Sequence, residues 1–252
     1  YYKENIMFSL CIPTVDRYDK FLKKYLPKYI ENKLINEIVI CDENGKDVEK
    51  IQRDFKSDKL KLYVNDNKLG PFLNKLKCCR LANNIWIALI DSDNFADYKY
   101  FEIANEYIRD VVTDEKTILA PSFAKPDFDF KHLSGLVYKK NNFNNNKNHE
   151  QKYNVELKQH SSVLMNTGNY ILNKYIIENI NIDNDSNLIK NSSACDVILF
   201  NTLVFEQIDC EMHVVPNLEY EHVVHPDSTY IKEHKQTQSC IDTVHNRYYK
   251  LI

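Results

Sequence analysis

Apolar and polar positions fall into alternating blocks over residues 1–98, and the blocks have two different periods. Ile6 to Ile12 is a short apolar run that predicts a strand stopped by Pro13. After the loop Thr14-Val15-Asp16-Arg17, apolar residues recur at helical spacing as Tyr18, Phe21, Leu22, Tyr25, Leu26, Tyr29 and Ile30. Residues 35–41 predict a second strand ending in the polar turn Asp42-Glu43-Asn44-Gly45, and 46–56 a short helix. Leu60 to Val64 predicts a third strand ending in Asn65-Asp66-Asn67. Gly70-Pro71 opens a further helix, with proline in its first turn. A fourth strand follows at Ile85 to Ile90. The order β-α-β-α-β-α-β predicts an α/β fold with a parallel sheet and right-handed crossovers.

The fourth of these strands is the informative one. Ile85-Trp86-Ile87-Ala88-Leu89-Ile90 is apolar without a break, as a strand covered on both faces should be, and it runs into Asp91-Ser92-Asp93. Side chains alternate along an extended chain, so Asp91 and Asp93 share a side. Open α/β sheets bind ligands beyond the carboxyl ends of their strands. Two carboxylates there form a hard-oxygen site suited to Mg²⁺ or Mn²⁺. The chain has two other D-x-D triplets, Asp127/Asp129 and Asp183/Asp185, but neither follows a buried strand. The four strand ends of a parallel sheet gather on one edge. Here that edge collects Thr14, Asp16 and Arg17, then Asp42 and Glu43, then Asn65 and Asp66, then Asp91, Ser92 and Asp93. Such a concentration of acids and amides suits the base, ribose and metal of a nucleotide.

Beyond Asp93 the pattern predicts a helix over 99–111, a strand over 117–123, and a low-complexity polar loop over 139–152. It then predicts a strand and turn over 162–169, a helix over 170–179 and a polar stretch over 181–193. Cys195-Asp196 opens an apolar helix running to about residue 206, where the acid is either a helix-start residue or a functional one. Glu219 to Ser228 concentrates acids with His222 and His225, a candidate source of a metal ligand.

Composition narrows the partners. The chain has 252 residues, is 43% hydrophobic and carries a net charge of -3, which argues against nucleic acid as a partner. No apolar run approaches the roughly 20 residues of a membrane helix, and no secretory signal is visible. Seven cysteines without a C-x-x-C pair predict reduced thiols and a cytoplasmic setting. With four glycines in all and neither G-x-G-x-x-G nor G-x-x-x-x-G-K-[ST], a backbone cradle for phosphates is lacking, which leaves that task to a divalent metal.

With these residues in hand, the chain resembles the nucleotide-sugar-dependent glycosyltransferases of the GT-A fold, most of all the inverting family 2 enzymes. The resemblance is carried by Phe8 to Arg17, Ile38 to Gly45, Leu69 to Asn74, Leu89 to Asp93, Cys195-Asp196 and His222 to Ser228. It implies a Rossmann-like fold over 1–252 as one domain, with a nucleotide-sugar half at 1–98 and an acceptor half at 99–252. It implies that Thr14 and Asp42 line the base pocket and that Asn74, with Lys75 or Arg80, faces the nucleotide. Asp91 would lie near ribose and metal, Asp93 would bind the metal, and His225, or His222 in its place, would complete the metal site. Asp196 stands at the position of the catalytic base. Two departures stand out: Asp-Glu-Asn-Gly replaces the usual Asp-Asp-Gly-Ser, and Cys195 replaces the usual Glu before the base. The Q-x-x-R-W signature of processive synthases is absent.

The resulting expectation is a Mn²⁺- or Mg²⁺-dependent transfer of one sugar from a nucleotide sugar, UDP first among them, to a hydroxyl of a glycan or other acceptor. A retaining GT-A enzyme shares fold and metal but needs no base. A pyrophosphorylase lacks its glycine-rich loop here. A non-catalytic nucleotide- or glycan-binding module is the alternative of a different class.

Overall fold

The computed structural model describes residues 5–140, 163, 165–228, 231–232, 238–248 and 250. The elements of the first half are β1 (Phe8–Thr14), α1 (Lys23–Glu31), β2 (Ile35–Asp42), α2 (Lys46–Asp54), β3 (Leu60–Val64), α3 (Pro71–Arg80), β4 (Trp86–Leu89) and α4 (Tyr98–Asp110). Then follow β5 (Thr117–Lys125), β6 (Phe128–Asp129), β7 (Val137–Tyr138), β8 (Tyr170–Asn173), α5 (Lys174–Asn179), α6 (Ser186–Lys190), α7 (Asp196–Gln207), β9 (Glu211–Glu221) and α8 (Gln238–Tyr248). Among the described residues the strands form one sheet in the order β3-β2-β1-β4-β8-β5-β9-β7, with β6 paired to β5.

β1 pairs in parallel with both β2 and β4. The chain steps outward from β1 to β2 and β3, then returns to add β4 on β1's other side. The C-terminal ends of β1 and β4 therefore flank a topological switch point, where open α/β sheets hold their ligands. Alternation along the strands sends side chains into two cores. Cys11, Val39, Cys41, Ile87 and Leu89 pack with Phe72, Leu76 and Cys78 of α3 and with Leu199, Phe200 and Leu203 of α7. Leu10, Ile12, Ile38, Ile40, Trp86 and Ala88 pack on the opposite face with Leu22 and with Leu26 of α1, Ile51 of α2 and Tyr100 and Phe101 of α4. Each of the larger side chains gains about 1.5–3 kcal/mol from full burial, which is why an unbroken apolar run is tolerated in β4.

Several expectations need correction. Pro13 does not stop β1 but lies inside it, opposite Cys41. The β4 register ends at Leu89 opposite Cys11, so at Pro13 β1 pairs on one side only and a missing N–H costs little. The helix expected from Tyr18 starts with a wider π-type turn over Tyr18–Leu22. Ile85 lies outside β4 and is 66% exposed. The strand expected over 162–169 is instead helical at 163 and 165–166, and residues 170–173 open as the antiparallel strand β8 before the expected helix begins at Lys174. Most of the loop expected over 139–152 lies outside the described residues. Five elements had no counterpart in the periodicity: the short β6, β7 and α6, then β9, parallel to β5 in the sheet's second half, and α8.

Candidate active site

β4 delivers Asp91 and Asp93 to the sheet edge beside the end of β1. Asn169, just ahead of β8, holds Asp91 twice: its Oδ1 accepts from the Asp91 backbone N–H at 2.6 Å, and its Nδ2 donates to Asp91 Oδ2 at 3.1 Å. The antiparallel pairing of Leu89 with Tyr170 places it there. No sequence signal distinguished Asn169 among so many asparagines.

Asp93 meets the far end of the chain. Phe95 bridges Glu221 at the exit of β9, Asn94 Oδ1 accepts from the Val223 N–H at 3.0 Å, and His225 Nε2 lies 2.9 Å from Asp93 Oδ2. Burial, and next the charge of Asp91, push the Asp93 carboxyl above its usual range, with His225 and Arg17 opposing. His225 Nδ1 is buried without a hydrogen-bond partner. His222 goes elsewhere: its Nδ1 lies 2.7 Å from Asp127 Oδ2. The two histidines are thus separated by geometry, and His225 is the one beside the D-x-D pair. Asp185 of the third triplet is spent on Arg247 of α8.

The β1 turn is organised by a residue that sequence reading passed over. Asp47, in the first turn of α2, accepts from Thr14 Oγ1 at 2.6 Å, from the Arg17 N–H at 2.9 Å and from the Tyr18 N–H at 2.9 Å. An acid there reads as an ordinary helix-start residue. Arg17 Nη2 in turn donates to the Asp227 carbonyl at 2.9 Å, and Lys20 pairs with the Asp227 carboxylate, so the tail folds over the first turn.

Not every expected residue faces open space. Asp42 is completely buried, and its Oδ2 accepts from the N–H groups of Asp47 and Val48 at 2.8 and 3.0 Å. Asn65 is buried too, donating from Nδ2 to Asn74 Oδ1 at 2.9 Å, while Asn74 Nδ2 donates to the Cys41 carbonyl at 3.1 Å. Arg80 donates to the Ile180 carbonyl at 3.4 Å, at the other end of α3. Thr14, Asp16, Arg17, Glu43, Asn74, Lys75, Asp91, Ser92, Asp93, Asp196 and His222 do line one open cleft of about 2200 Å³. A site for one drug-sized ligand has roughly 300–1,000 Å³, so this cleft exceeds the space that one such ligand fills.

Asp196 closes the far side. It starts α7, whose N-cap Cys195 makes no side-chain capping hydrogen bond. Its Oδ2 is buried and lies 2.9 Å from Lys75 Nζ, and the same ammonium lies 3.1 Å from Asp91 Oδ1. Burial opposes the Lys75 charge, but Asp196 and then Asp91 more than offset it and raise its pKa.

A family model described as "Glycosyl transferase family 2" matches residues 9–177. No curated protein matches the chain. Among solved structures, residues 1–349 of S. aureus TarS in complex with UDP superimpose with a TM-score of 0.59 at 15% identity, covering 95% of this chain and 65% of that one. The same protein in complex with UDP-GlcNAc gives 0.63 at 14% identity, covering 96% and 66%. The longer TarS structure gives 0.57 at 14% identity, covering 97% and 44%. This chain thus spans about two thirds of the length of the first of these structures, and at such identities the likeness is one of fold. No helix among the described residues is long and apolar enough to cross a membrane.

Proposed function

The chain belongs to glycosyl transferase family 2, and from that premise we propose that it moves one sugar from a UDP-sugar to a hydroxyl of a glycan or other acceptor, with inversion. The observation that carries this reading is the convergence of Asp91, Asp93, His225 and Asp196, drawn from β4, the tail and α7, around the switch point between β1 and β4. The proposed arrangement is one domain, with residues 1–98 on the donor side and 99–252 on the acceptor side.

In this reading Thr14, Asp16, Arg17, Asn74, Lys75, Asp91 and Ser92 face the nucleotide, and Asp42 and Asn65 hold the wall behind it in shape. A carboxylate and an imidazole meeting at 2.9 Å, with Asp91 adjacent, are a donor set that fits Mn²⁺ or Mg²⁺. Among the described residues no cluster of three or more His, Cys, Asp or Glu side chains stands ready for a metal, so a bound ion would need further ligands from donor phosphates and water. Asp93 and His225 would hold the ion and Asp91 would lie beside it, with His222 the substitute for His225. When bound, the ion neutralises the charge of the departing diphosphate, a contribution of several kcal/mol. Asp196 takes the proton from the acceptor hydroxyl. That oxygen attacks the anomeric carbon, and the bond to the diphosphate breaks with its electron pair leaving on UDP. A base placed this way contributes about 10²–10⁴-fold.

The test is UDP release from UDP-GlcNAc and related UDP-sugars in Mn²⁺, with and without chelator, followed by NMR of the product's anomeric centre. Inversion, lost in Asp196→Asn while UDP still binds, is the expected result. Retention of configuration, or an active Asn variant, refutes the base. A wild-type protein that binds UDP but never releases it from a donor is a binding module.

A further inference from the structure

Lys75 is an unusual nucleotide-facing residue. It rises from α3, keeps only 16% of its side chain exposed, and lies within 3.1 Å of two carboxylates that belong to opposite walls of the cleft. We propose that Lys75 is the positioning residue of the base: its ammonium anchors Asp196 Oδ2, aims the carboxylate across the cleft, and leaves Oδ1 as the atom that accepts the acceptor's proton. This rests on the reading of Asp196 as base and adds to Lys75 a task beyond the donor.

The geometry has three parts. Asp196 Oδ2 is buried, with no hydrogen-bond partner, although the side chain as a whole is 13% exposed. The exposed part is therefore elsewhere on the side chain, and Oδ2 is not the atom a substrate reaches. Lys75 Nζ stands 2.9 Å from this buried oxygen, so Oδ2 is held by the charge of the ammonium.

The second part is the floor beneath the pair. Phe72, Leu76, Cys79, Leu89, Tyr170 and Phe200 enclose a small apolar cavity of about 10 Å³ against Lys75 and Asp196. Charge attraction is stronger where water is scarce, and a buried carboxylate stripped of its cation is costly.

The third part is the reach of the ammonium. Asp91 is fixed to β8 by Asn169, so Lys75 spans from a fixed donor-side carboxylate to the first residue of α7. The distance between donor seat and base is then set by one side chain. Misplacement of reacting groups by about 1 Å costs on the order of 10²-fold in rate.

Four proteins form the test cycle, the wild type, Lys75→Met, Asp196→Asn and the double variant, and a fifth, Lys75→Arg, is the conservative replacement. Each is assayed for UDP-GlcNAc hydrolysis in Mn²⁺, with water as acceptor, and for UDP binding by calorimetry. Lys75→Met is expected to lose about 10²-fold in kcat, over and above whatever its loss as a nucleotide-facing residue does to the UDP Kd. The double variant should be no worse than Asp196→Asn alone, because Lys75 acts through Asp196. Lys75→Arg should recover at least about tenfold of the loss, a rescue that a filler of space would not show. Circular dichroism confirms folding, and a misfolded Lys75→Met passes the test to Lys75→Gln. A UDP Kd weakened by about tenfold or more with kcat intact makes Lys75 a phosphate contact and overturns the proposal. So does a double variant whose loss is the product of the two single losses. An active Asp196→Asn, by contrast, removes the base reading itself. If wild type does not hydrolyse UDP-GlcNAc, coupling is read from denaturant unfolding of the same four proteins, and additive stabilities overturn the anchoring.

Discussion

Replacing Gly168 by alanine puts a methyl carbon 2.5 Å from Val197 Cγ2 and 3.2 Å from Cγ1. Ordinary contact begins near 3.4 Å, so the two segments must part by close to an ångström. Val197 follows Asp196, and Gly168 precedes Asn169, the residue that grips Asp91. The wedge therefore falls between the two sides of the candidate site. Overpacking of this kind costs about 1–3 kcal/mol, or roughly 2–4 °C of Tm per kcal/mol for a domain of this size. Displacing Asp196 by about 1 Å should lower UDP-GlcNAc turnover on the order of 10²-fold. Val197→Ala removes both methyl groups nearest the added carbon and is expected to restore most of the stability and part of the rate in the double variant. Thermal unfolding and UDP release measure both. If Gly168→Ala is as stable and active as wild type, or if Val197→Ala gives no rescue, the close approach is not what requires glycine there.

Asp93→Ala and His225→Ala should each abolish the Mn²⁺-dependent part of UDP binding while leaving the metal-free part; calorimetry with and without chelator decides, and unchanged metal dependence removes these residues from the metal site. Glu37 gives a pH signature at the opposite end of the sheet. Burial raises its proton affinity, but hydrogen bonds from Ser9 Oγ (2.5 Å), Asn83 Nδ2 (2.7 Å) and backbone N–H groups more than offset this and hold the carboxyl below its usual range. A depressed folded value means stability that is full above about pH 4.3 and fades as pH falls through the folded pKa. The stability difference between wild type and Glu37→Gln should therefore be constant near neutrality and shrink only in acid. Arg247 of α8 pairs with Asp185 and Glu206, which are largely buried, so Arg247→Ala should cost about 1–3 kcal/mol by denaturant unfolding. A loss below a few tenths would mean that α8 is held by its apolar face alone.

The first half of the fold was legible because its strands are short apolar runs and its turns are polar, so period and punctuation agree from Phe8 to Leu89 except at Pro13, which β1 accommodates, and at Ile85, which β4 leaves out. The second half was not. β8 has only four residues, and Tyr170-Ile171-Leu172 is parted from Tyr175-Ile176-Ile177 by just Asn173 and Lys174, a spacing that also suits one helix face. β9 carries Pro216 and Asn217 and lost its alternation there. At the site, Asp91, Asp93, His225 and Asp196 were visible as chemistry in context. Asp47 and Asn169 were not, because each acts on another side chain across a distance that no local pattern encodes. Asp42 was visible as an acid at a strand end, but not as one consumed by the N–H groups of the following helix.

The family match ends at residue 177, before Asp196 and before His225. The two residues read here as proton acceptor and cation ligand thus belong to a stretch that folds back to the carboxyl ends of β1 and β4. A nascent chain can pair β1 with β2 and with β4 well before it holds either of them.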